Sequence, residues 1–335
     1  MNIRIILLCA ISFLFLTTEM KSQDIHFSQF YNSPLTLNPS LTGKVNGTYR
    51  IAANYRDQWF NVTSGSSPYV TPAASFDMPF MIGNNDAVGV GIQFFNDRNS
   101  GGRMTDLTIL GSVAYHKGLG ENHSISLGVQ GGYAQKRLDS EQLQWPSQFS
   151  GTEFDPNLMG ETLEDNSIGK FDFNAGLSWH GRFSERLHAY AGFSTFHIHE
   201  PTETFFDDSD AKLPRRYLAH GGMDIGLSER WALLPSVVWM LQAEASQLNL
   251  GTAVGYAASE DVTLYLGGYY RLEDAAIAYL GIDFRNFRFG FSYDFTTSSL
   301  NQVSGLTGSF ELSLMYIGQV IPLPEVQSSL FCPRF

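Results

Sequence analysis

Residues 286–296 read N-F-R-F-G-F-S-Y-D-F-T, and every odd-numbered position from 287 to 295 is Phe or Tyr. The positions between them are Arg288, Gly290, Ser292 and Asp294. Successive side chains of an extended strand point to opposite sides of a sheet. The spacing therefore predicts a strand with one aromatic face and one polar face, as in a barrel that contacts lipid outside and water within.

The same two-faced alternation recurs along most of the chain. We predict about 14 strands, at 48–57, 69–80, 86–97, 103–117, 122–137, 168–183, 186–197, 212–228, 230–241, 247–259, 261–271, 275–285, 286–296 and 306–318. Most exceed the roughly 5–6 residues of an average strand and reach the roughly 9–11 that cross a bilayer when tilted. The prediction is an all-β transmembrane antiparallel β-barrel over residues 48–318.

Composition favours this barrel over a secreted β-sandwich. Charged residues make up 16% of the chain, against about 25% in average soluble domains, while aromatic residues reach 14%. The polar face is built mainly from Gly, Ser, Asn, Ala and Gln, as in residues 125–133. A sandwich exposes that face to bulk water and usually carries Lys and Glu there, whereas a crowded lumen favours small residues.

Both ends of the chain lie outside the predicted strands. Residues 1–22, with Arg4 before an apolar run at 5–16, have the pattern of a cleaved secretory signal. Residues 23–47 are expected to form a periplasmic or lumenal segment. Residues 319–335, which contain three prolines, are expected to form a periplasmic tail, because proline is disfavoured in a central strand.

Charge and cysteine content limit the partners and cross-links. Loss of residues 1–22 removes Arg4, Lys21 and Glu19, a net +1, so the charge of −12 becomes −13. An acidic chain disfavours nucleic acid, which requires basic surface. Cys332 is the only cysteine beyond residue 22, so an internal disulfide is excluded in the processed chain.

The connection lengths predict sidedness. Short connections follow the even-numbered strands, and the longer ones, at 58–68, 138–167, 198–211 and 297–305, follow odd-numbered strands. Outer-membrane barrels place short turns in the periplasm and long loops outside. We therefore expect a multi-pass protein of the cell outer membrane with both termini periplasmic.

Three groups of residues contain side chains that are typical of metal-binding or catalytic sites. The alternation places the His197 and His199 imidazoles on one strand face with Glu200 beside them, a set typical of a divalent-metal site, although a polar strand end beside a loop has the same composition. The acidic loops near 139–165 and 200–210 have the composition of a calcium-binding surface or of a simply solvated one. They lack the D-x-D-x-D-G pattern of a calcium-binding loop. Ser178 and His180 share a face but lack a G-x-S-x-G turn and a third partner. We predict no enzymatic activity, no cofactor and no metal site.

Several short motifs follow one another along the chain in an order that is typical of one protein family. They are Phe27-Ser28-Gln29-Phe30, Asn38-Pro39-Ser40-Leu41-Thr42-Gly43, Tyr55-Arg56-Asp57-Gln58-Trp59, Ser75-Phe76-Asp77, Gly89-Val90-Gly91, Gly268-Tyr269-Tyr270-Arg271, Phe291-Ser292-Tyr293-Asp294, Glu311-Leu312-Ser313-Leu314 and Cys332-Pro333-Arg334-Phe335. Together they resemble the PorP/SprF family of the type IX secretion system over nearly the whole processed chain.

This resemblance implies a non-enzymatic outer-membrane component that supports export or surface attachment of a partner protein, such as a gliding adhesin. The implied partners are outer-membrane lipid, the periplasmic motor and ring proteins of the secretion system, and secreted cargo with a C-terminal signal domain. The partner-binding positions carried over from the motifs are Asn38, Pro39, Gly43, Arg56, Trp59, Cys332, Pro333, Arg334 and Phe335.

Two other functions stay open from the sequence. One is an outer-membrane pore or hydrophobic-solute transporter of the fatty-acid transporter kind, in which the segment around Asn38 and Pro39 folds into the lumen as a hatch. The other is an outer-membrane lipid hydrolase that uses a Ser–His pair on the outer wall. The residues alone leave the openness of the lumen undecided.

Overall fold

The computed structural model describes residues 24–59, 69–83, 85–99, 103–139, 145–151, 153–155, 157–158, 166–205, 211–298 and 308–319. Within these ranges, 14 antiparallel strands close into one barrel, in which each strand pairs with its neighbours in sequence and β1 pairs with β14. The strands are β1 Tyr49–Gln58, β2 Tyr69–Ile82, β3 Asp86–Asn99, β4 Met104–Leu119, β5 His123–Leu138, β6 Ser167–Ser184, β7 Leu187–Phe196, β8 Arg216–Gly226, β9 Trp231–Gln242, β10 Ala245–Ala257, β11 Val262–Arg271, β12 Ala275–Phe284, β13 Phe287–Thr296 and β14 Ser309–Gly318.

The predicted barrel fold is confirmed, and each predicted strand overlaps one observed strand. The largest shift is at β8, which begins at Arg216 instead of residue 212. Residues 211–214 belong to the preceding loop, where the Glu203 N–H donates to the Ala211 carbonyl and the Leu213 N–H to the Pro201 carbonyl. Pro214 has no N–H to donate to a strand ladder. The predicted signal segment 1–22 and most of the tail 319–335 lie outside the described residues.

The two faces of the barrel follow the alternation. On β13, Phe287, Phe289 and Phe291 are 40–45% exposed on the outer wall. Ser292 and Asp294, which point inward, are 1% and 2% exposed. Among the described residues, no helix combines the length and the hydrophobicity needed to span a membrane.

Residues 24–48, which we call the plug, run through the barrel interior before β1 begins. They contain a 3₁₀ turn at Phe30–Asn32, a single helical turn α1 at Pro34–Leu37 and a second 3₁₀ turn at Pro39–Leu41. Proline at the first position of the last two turns suits a helix start, because that N–H would have no partner. The plug packs an apolar side against the wall through a cluster of Phe30, Leu37, Leu41, Phe196, Leu218 and Val238.

The plug spans the lumen from one end to the other. Its Asp24 N–H donates to the Gln242 Oε1 at 2.9 Å, where β9 ends at the long-loop side of the barrel. Its Lys44 Nζ donates to the Ser124 Oγ at 2.8 Å, where β5 begins beside a short turn. The structure therefore differs from the prediction that both ends of the processed chain lie at the short-turn side. The chain enters β1 there, but Asp24, the first described residue, lies at the loop side.

Candidate functional site

Four charged side chains of the wall meet beneath the loop side of the lumen. Arg56 from β1 lies 3.1 Å from Asp294 of β13 and 3.3 Å from Glu311 of β14. Arg271 from β11 also donates to Asp294. All four, which we call the wall quartet, are at most 4% exposed. Their formal charges cancel, as buried ionic groups require.

The plug meets the wall quartet through uncharged groups. The backbone N–H groups of Ser28 and Gln29 donate to the two carboxylate oxygens of Glu311, at 2.8 and 3.1 Å. The Ser28 hydroxyl donates to Asp294 at 2.7 Å and accepts from Arg56 at 2.5 Å. Hydrogen bonds to charged groups contribute roughly 1.5–3 kcal/mol each. The plug is therefore held firmly, yet its departure would leave the charges of the quartet balanced.

A second ion pair holds the plug near the short turns. Arg50 of β1 forms a bidentate pair with Asp77 of β2, with Nε–Oδ1 and Nη2–Oδ2 distances of 2.9 and 2.7 Å. The Gly43 N–H donates to Asp77 Oδ2 at 2.6 Å, and Arg50 Nη2 donates to the Leu41 carbonyl at 3.1 Å. Each member of the wall pair thus also binds the plug backbone, which fixes the plug in register with β1 and β2.

Wall glycines let the plug lie directly on the strands. A Cβ at Gly89 would lie 1.9 Å from the Thr42 carbonyl oxygen, and one at Gly128 would lie 2.3 Å from the Pro39 carbonyl oxygen. Gly43 in the plug has φ +71°, a conformation that favours glycine, and its own Cβ would lie 2.4 Å from the Gly89 Cα. The two chains approach backbone to backbone, which leaves no room for side chains between them.

Asn38 is the polar anchor in the middle of the plug. Its side-chain amide donates to the carbonyls of Leu177 and Phe193, at 3.1 and 3.2 Å. Its Oδ1 accepts the Ser40 N–H at 2.9 Å and so caps the second 3₁₀ turn. The side chain is fully buried and ties the plug to β6 and β7.

The structure brings together four of the predicted site residues. Asn38, Pro39, Gly43 and Arg56 all lie at the contact between plug and wall. Trp59 lies apart, just past β1, with its ring 5.1 Å from that of Tyr69 and φ +59°. The remaining predicted residues, Cys332, Pro333, Arg334 and Phe335, lie outside the described residues.

Sequence reasoning missed Arg50. It lies six positions before Arg56, and an even spacing within one strand places both on the same face. A second arginine on the inward face of β1 was therefore a signal for a buried ionic contact, since an inward charge needs a partner.

At the loop side, His197 joins the start of the plug to the wall. Its Nδ1 lies 2.9 Å from Asp172 and its Nε2 lies 2.5 Å from Asp24. Burial by itself lowers the pKa of His197, but the charge of Asp24 and the hydrogen bonds to Asp172 and Asp24 raise it to about 9. Burial raises the pKa of Asp24, whereas His197 and Arg216 together lower it far below its usual range.

The predicted pairing of His197 with His199 is wrong. His197 follows the end of β7 and has φ +55°, so the strand alternation stops there. Its ring turns inward, while the His199 ring lies 5.3 Å from that of Phe173, an outer-wall residue. No group of three or more His, Cys, Asp or Glu suited to a metal ion occurs in the part of the chain that the structure describes.

The Ser178–His180 pair does share a face, but that face is the lumen. Ser178 accepts a hydrogen bond from the Ser40 hydroxyl of the plug at 2.8 Å. The His180 ring stacks on Tyr190 at 5.9 Å, and both Ser178 and His180 are buried. This pair therefore does not form a lipid hydrolase site on the outer wall.

A cavity of about 900 Å³, which we call the vestibule, opens between the plug and the short turns. Plug residues Leu37, Leu41 and Val45 form part of its lining. The barrel interior is thus divided unequally, with the plug seated against the wall on one side and accessible space on the other.

Comparison with known proteins assigns a family and a fold. The profile of a family described as type IX secretion system membrane protein PorP/SprF matches residues 19–316. No curated protein sequence matches the chain. Among solved structures, the P. putida toluene transporter TodX is similar with a TM-score of 0.54 and 10% identity, over 87% of this chain and 95% of that one.

Two further solved barrels are similar to a comparable degree. The Ralstonia pickettii toluene transporter TbuX gives a TM-score of 0.50 and 12% identity, over 85% of this chain and 92% of that one. The CymD monoaromatic hydrocarbon channel gives 0.50 and 11%, over 86% and 93%. At these identities the likeness shows the fold alone, that of a 14-stranded outer-membrane barrel.

The substitution Gly89→Ala should loosen the short-turn side of the plug without opening the barrel. Its methyl group would collide with the Thr42 carbonyl, and overpacking of this kind costs about 1–3 kcal/mol. We expect hydrogen exchange of the Gly43 amide to accelerate roughly tenfold or more. Gly111→Ala is the matched control, because its new methyl would have no neighbour nearer than 3.7 Å. Equal exchange in the two variants would contradict the close seating of the plug.

The His197 contact should make the loop side of the plug sensitive to alkaline pH. Because the folded pKa of about 9 is raised above the ordinary 6.5, the stabilisation is complete below pH 6.5 and is lost as the pH rises through 9. The measurement is hydrogen exchange of the Asp24 amide relative to the Gly43 amide, which corrects for the intrinsic effect of pH. His197→Gln should abolish the pH step, and a step that persists in this variant would exclude His197 as its source.

Proposed function

Because the chain belongs to the PorP/SprF family of type IX secretion system membrane proteins, we propose that it supports the export or surface attachment of a partner protein without catalysis. It is an outer-membrane barrel component of that system. The observation that carries the proposal is the plug, whose polar contacts fix it to the wall along the whole lumen. A barrel filled by its own chain suits a docking role better than free passage.

The proposed arrangement places the short turns in the periplasm and the long loops outside the cell. Cargo carrying a C-terminal signal domain, such as a gliding adhesin, would be received at the loop side. There Glu203 of the β7–β8 loop reaches into the mouth and pairs with Lys136 and Lys170 of the wall. This contact supports a structured receiving surface at the mouth of the barrel.

The proposed contact with the periplasmic motor and ring proteins lies at the short-turn side. Three successive short turns carry Ser-Glu followed by a charged residue, at 184–186, 228–230 and 259–261. They form a charged rim around the vestibule. The tail 319–335 leaves β14 at this rim, and we include it, with Cys332 to Phe335, in the partner-binding surface.

A pore for hydrophobic solutes is the second candidate. The observation in its favour is the vestibule, because a 900 Å³ space with a partly apolar lining has the size of a small-molecule site. The plug argues against it, since a solute would have to displace hydrogen-bonded backbone to pass. The similar barrels are transporters or channels, but a shared fold does not assign their activities to this chain.

Deletion of residues 320–335 should leave an inserted barrel and abolish export of the cargo. Export should fail because the periplasmic contact is lost. The measurements are the amount of cargo at the cell surface and the heat-modifiable migration of the barrel, which reports that the barrel is folded. A variant that lacks 320–331 but keeps Cys332 to Phe335 controls for a terminal insertion signal. Normal export by both inserted variants would remove the tail from the proposal.

Purified protein in liposomes should not raise the uptake of a small hydrophilic sugar, or of a hydrophobic solute such as toluene, above that of protein-free liposomes. The physical reason is the seated plug. Deletion of residues 24–44 provides the positive control, since an emptied lumen should pass the sugar. Faster uptake of the hydrophobic solute with the intact chain than in protein-free liposomes would instead favour the transporter.

A further inference from the structure

The vestibule is an amphipathic space beside the plug–wall contacts. Its inner part is lined by Leu37 and Leu41 of the plug and by Leu234 and Met315 of the wall. Charged residues of the short turns surround its mouth. This combination suits a ligand that buries apolar groups inside and keeps polar ends at the rim.

The wall of the vestibule also contains a polar group without a partner. His180 and His220 stand on either side of Tyr190, with ring distances of 5.9 and 6.0 Å. The His220 Nε2 lies 3.1 Å from the Asn38 side-chain nitrogen, and its Nδ1 has no hydrogen bond among the described residues. A buried polar atom of this kind favours a hydrogen-bonding partner in the space beside it.

The chain itself supplies a segment at the edge of this site. β14 ends at Gly318, and Gln319, the last described residue, lines the vestibule. The 16 residues that follow contain only two charged side chains, Glu325 and Arg334, and three prolines. Their apolar residues are Val320, Ile321, Leu323, Val326, Leu330, Phe331, Cys332 and Phe335. So apolar a sequence gains free energy from burial, while its prolines disfavour a further strand.

We propose that the vestibule is the docking site of this chain's own C-terminal tail, residues 320–335. The apolar side chains of the tail lie against the plug and the inner wall, and its backbone supplies a hydrogen-bonding partner for the His220 Nδ1. The tail is thereby sheltered when no partner engages it. This inference goes beyond the proposed function, because it concerns where the tail rests in the isolated protein.

Length and charge both fit this occupant. An extended chain of 16 residues reaches about 50 Å, whereas a 14-stranded barrel with strands about 4.8 Å apart has a diameter of roughly 25–30 Å. The mouth carries both signs of charge, through Glu185 with Arg186 and Glu229 with Arg230. The tail also carries both signs, through Glu325 and Arg334. Opposite charges can therefore meet once the apolar part is buried.

Cys332 is a natural probe for the test, as the only cysteine beyond residue 22. We would place a partner thiol in the vestibule with Ala232→Cys or Ala257→Cys, both at lining positions. Ser150→Cys, in the exposed β5–β6 loop, is the matched control at the opposite end. The full processed chain in detergent micelles is treated with a short bismaleimide, and the intramolecular product is measured by mass spectrometry. Heat-modifiable migration verifies that each variant is folded.

The proposal expects at least tenfold more intramolecular cross-link in both vestibule variants than in the Ser150→Cys control. Equal yields in all three folded variants would overturn it, and so would cross-links found only between two copies of the chain. The two vestibule positions lie on different strands, so failure of one variant to fold leaves the other informative. Because the readout is the position of the tail, the result is independent of any export assay.

Discussion

A charge that points into the bore of a lipid-embedded barrel must find its partner inside the barrel. Arg50, Arg56 and Arg271 all face inward and are almost completely buried. Each lies against a carboxylate supplied by another strand, and the strand pairings bring these residues together. For Arg56 the contact is a property of the closed barrel, since its carboxylate partners on β13 and β14 lie beside β1 only when β1 pairs with β14.

The plug depends on the same constraint from the opposite side. A segment that runs through the lumen without a sheet to pair with must satisfy its backbone N–H groups otherwise. Ser28, Gln29 and Gly43 donate theirs to carboxylates that already serve arginines. Short helical turns within the plug provide hydrogen-bond acceptors for several of its other backbone N–H groups. Wall and plug therefore stabilise each other, and the glycines permit the close approach that these bonds need.

The two ends of the plug are held by different chemistry. At the loop side the contact joins ionisable groups, Asp24 and His197, whose attraction depends on pH. At the short-turn side, Lys44 donates to the hydroxyls of Ser124 and Ser126. Beneath the loop side, the plug also supplies neutral donors to the balanced charges of the wall quartet. The two ends of the plug would therefore respond differently to a change of pH, while the wall keeps its own charge pairs.

The sequence by itself determined the barrel, the number and approximate bounds of its strands, and the face to which each strand residue points. It did so because strand alternation is a local property with a period of two. Most of the family motifs it offered meet at the contact between plug and wall. Their convergence could not be inferred from spacing, because Ser28 and Glu311 are 283 positions apart.

Only the tertiary structure decided the path of residues 24–48 and the direction of His197. The plug has no periodicity, so its course depends on contacts with strands distributed over the whole barrel. His197 left the predicted face because a positive φ ends the alternation after Phe196. Local pattern specifies which way a strand residue points, whereas closure of the barrel specifies what that residue meets.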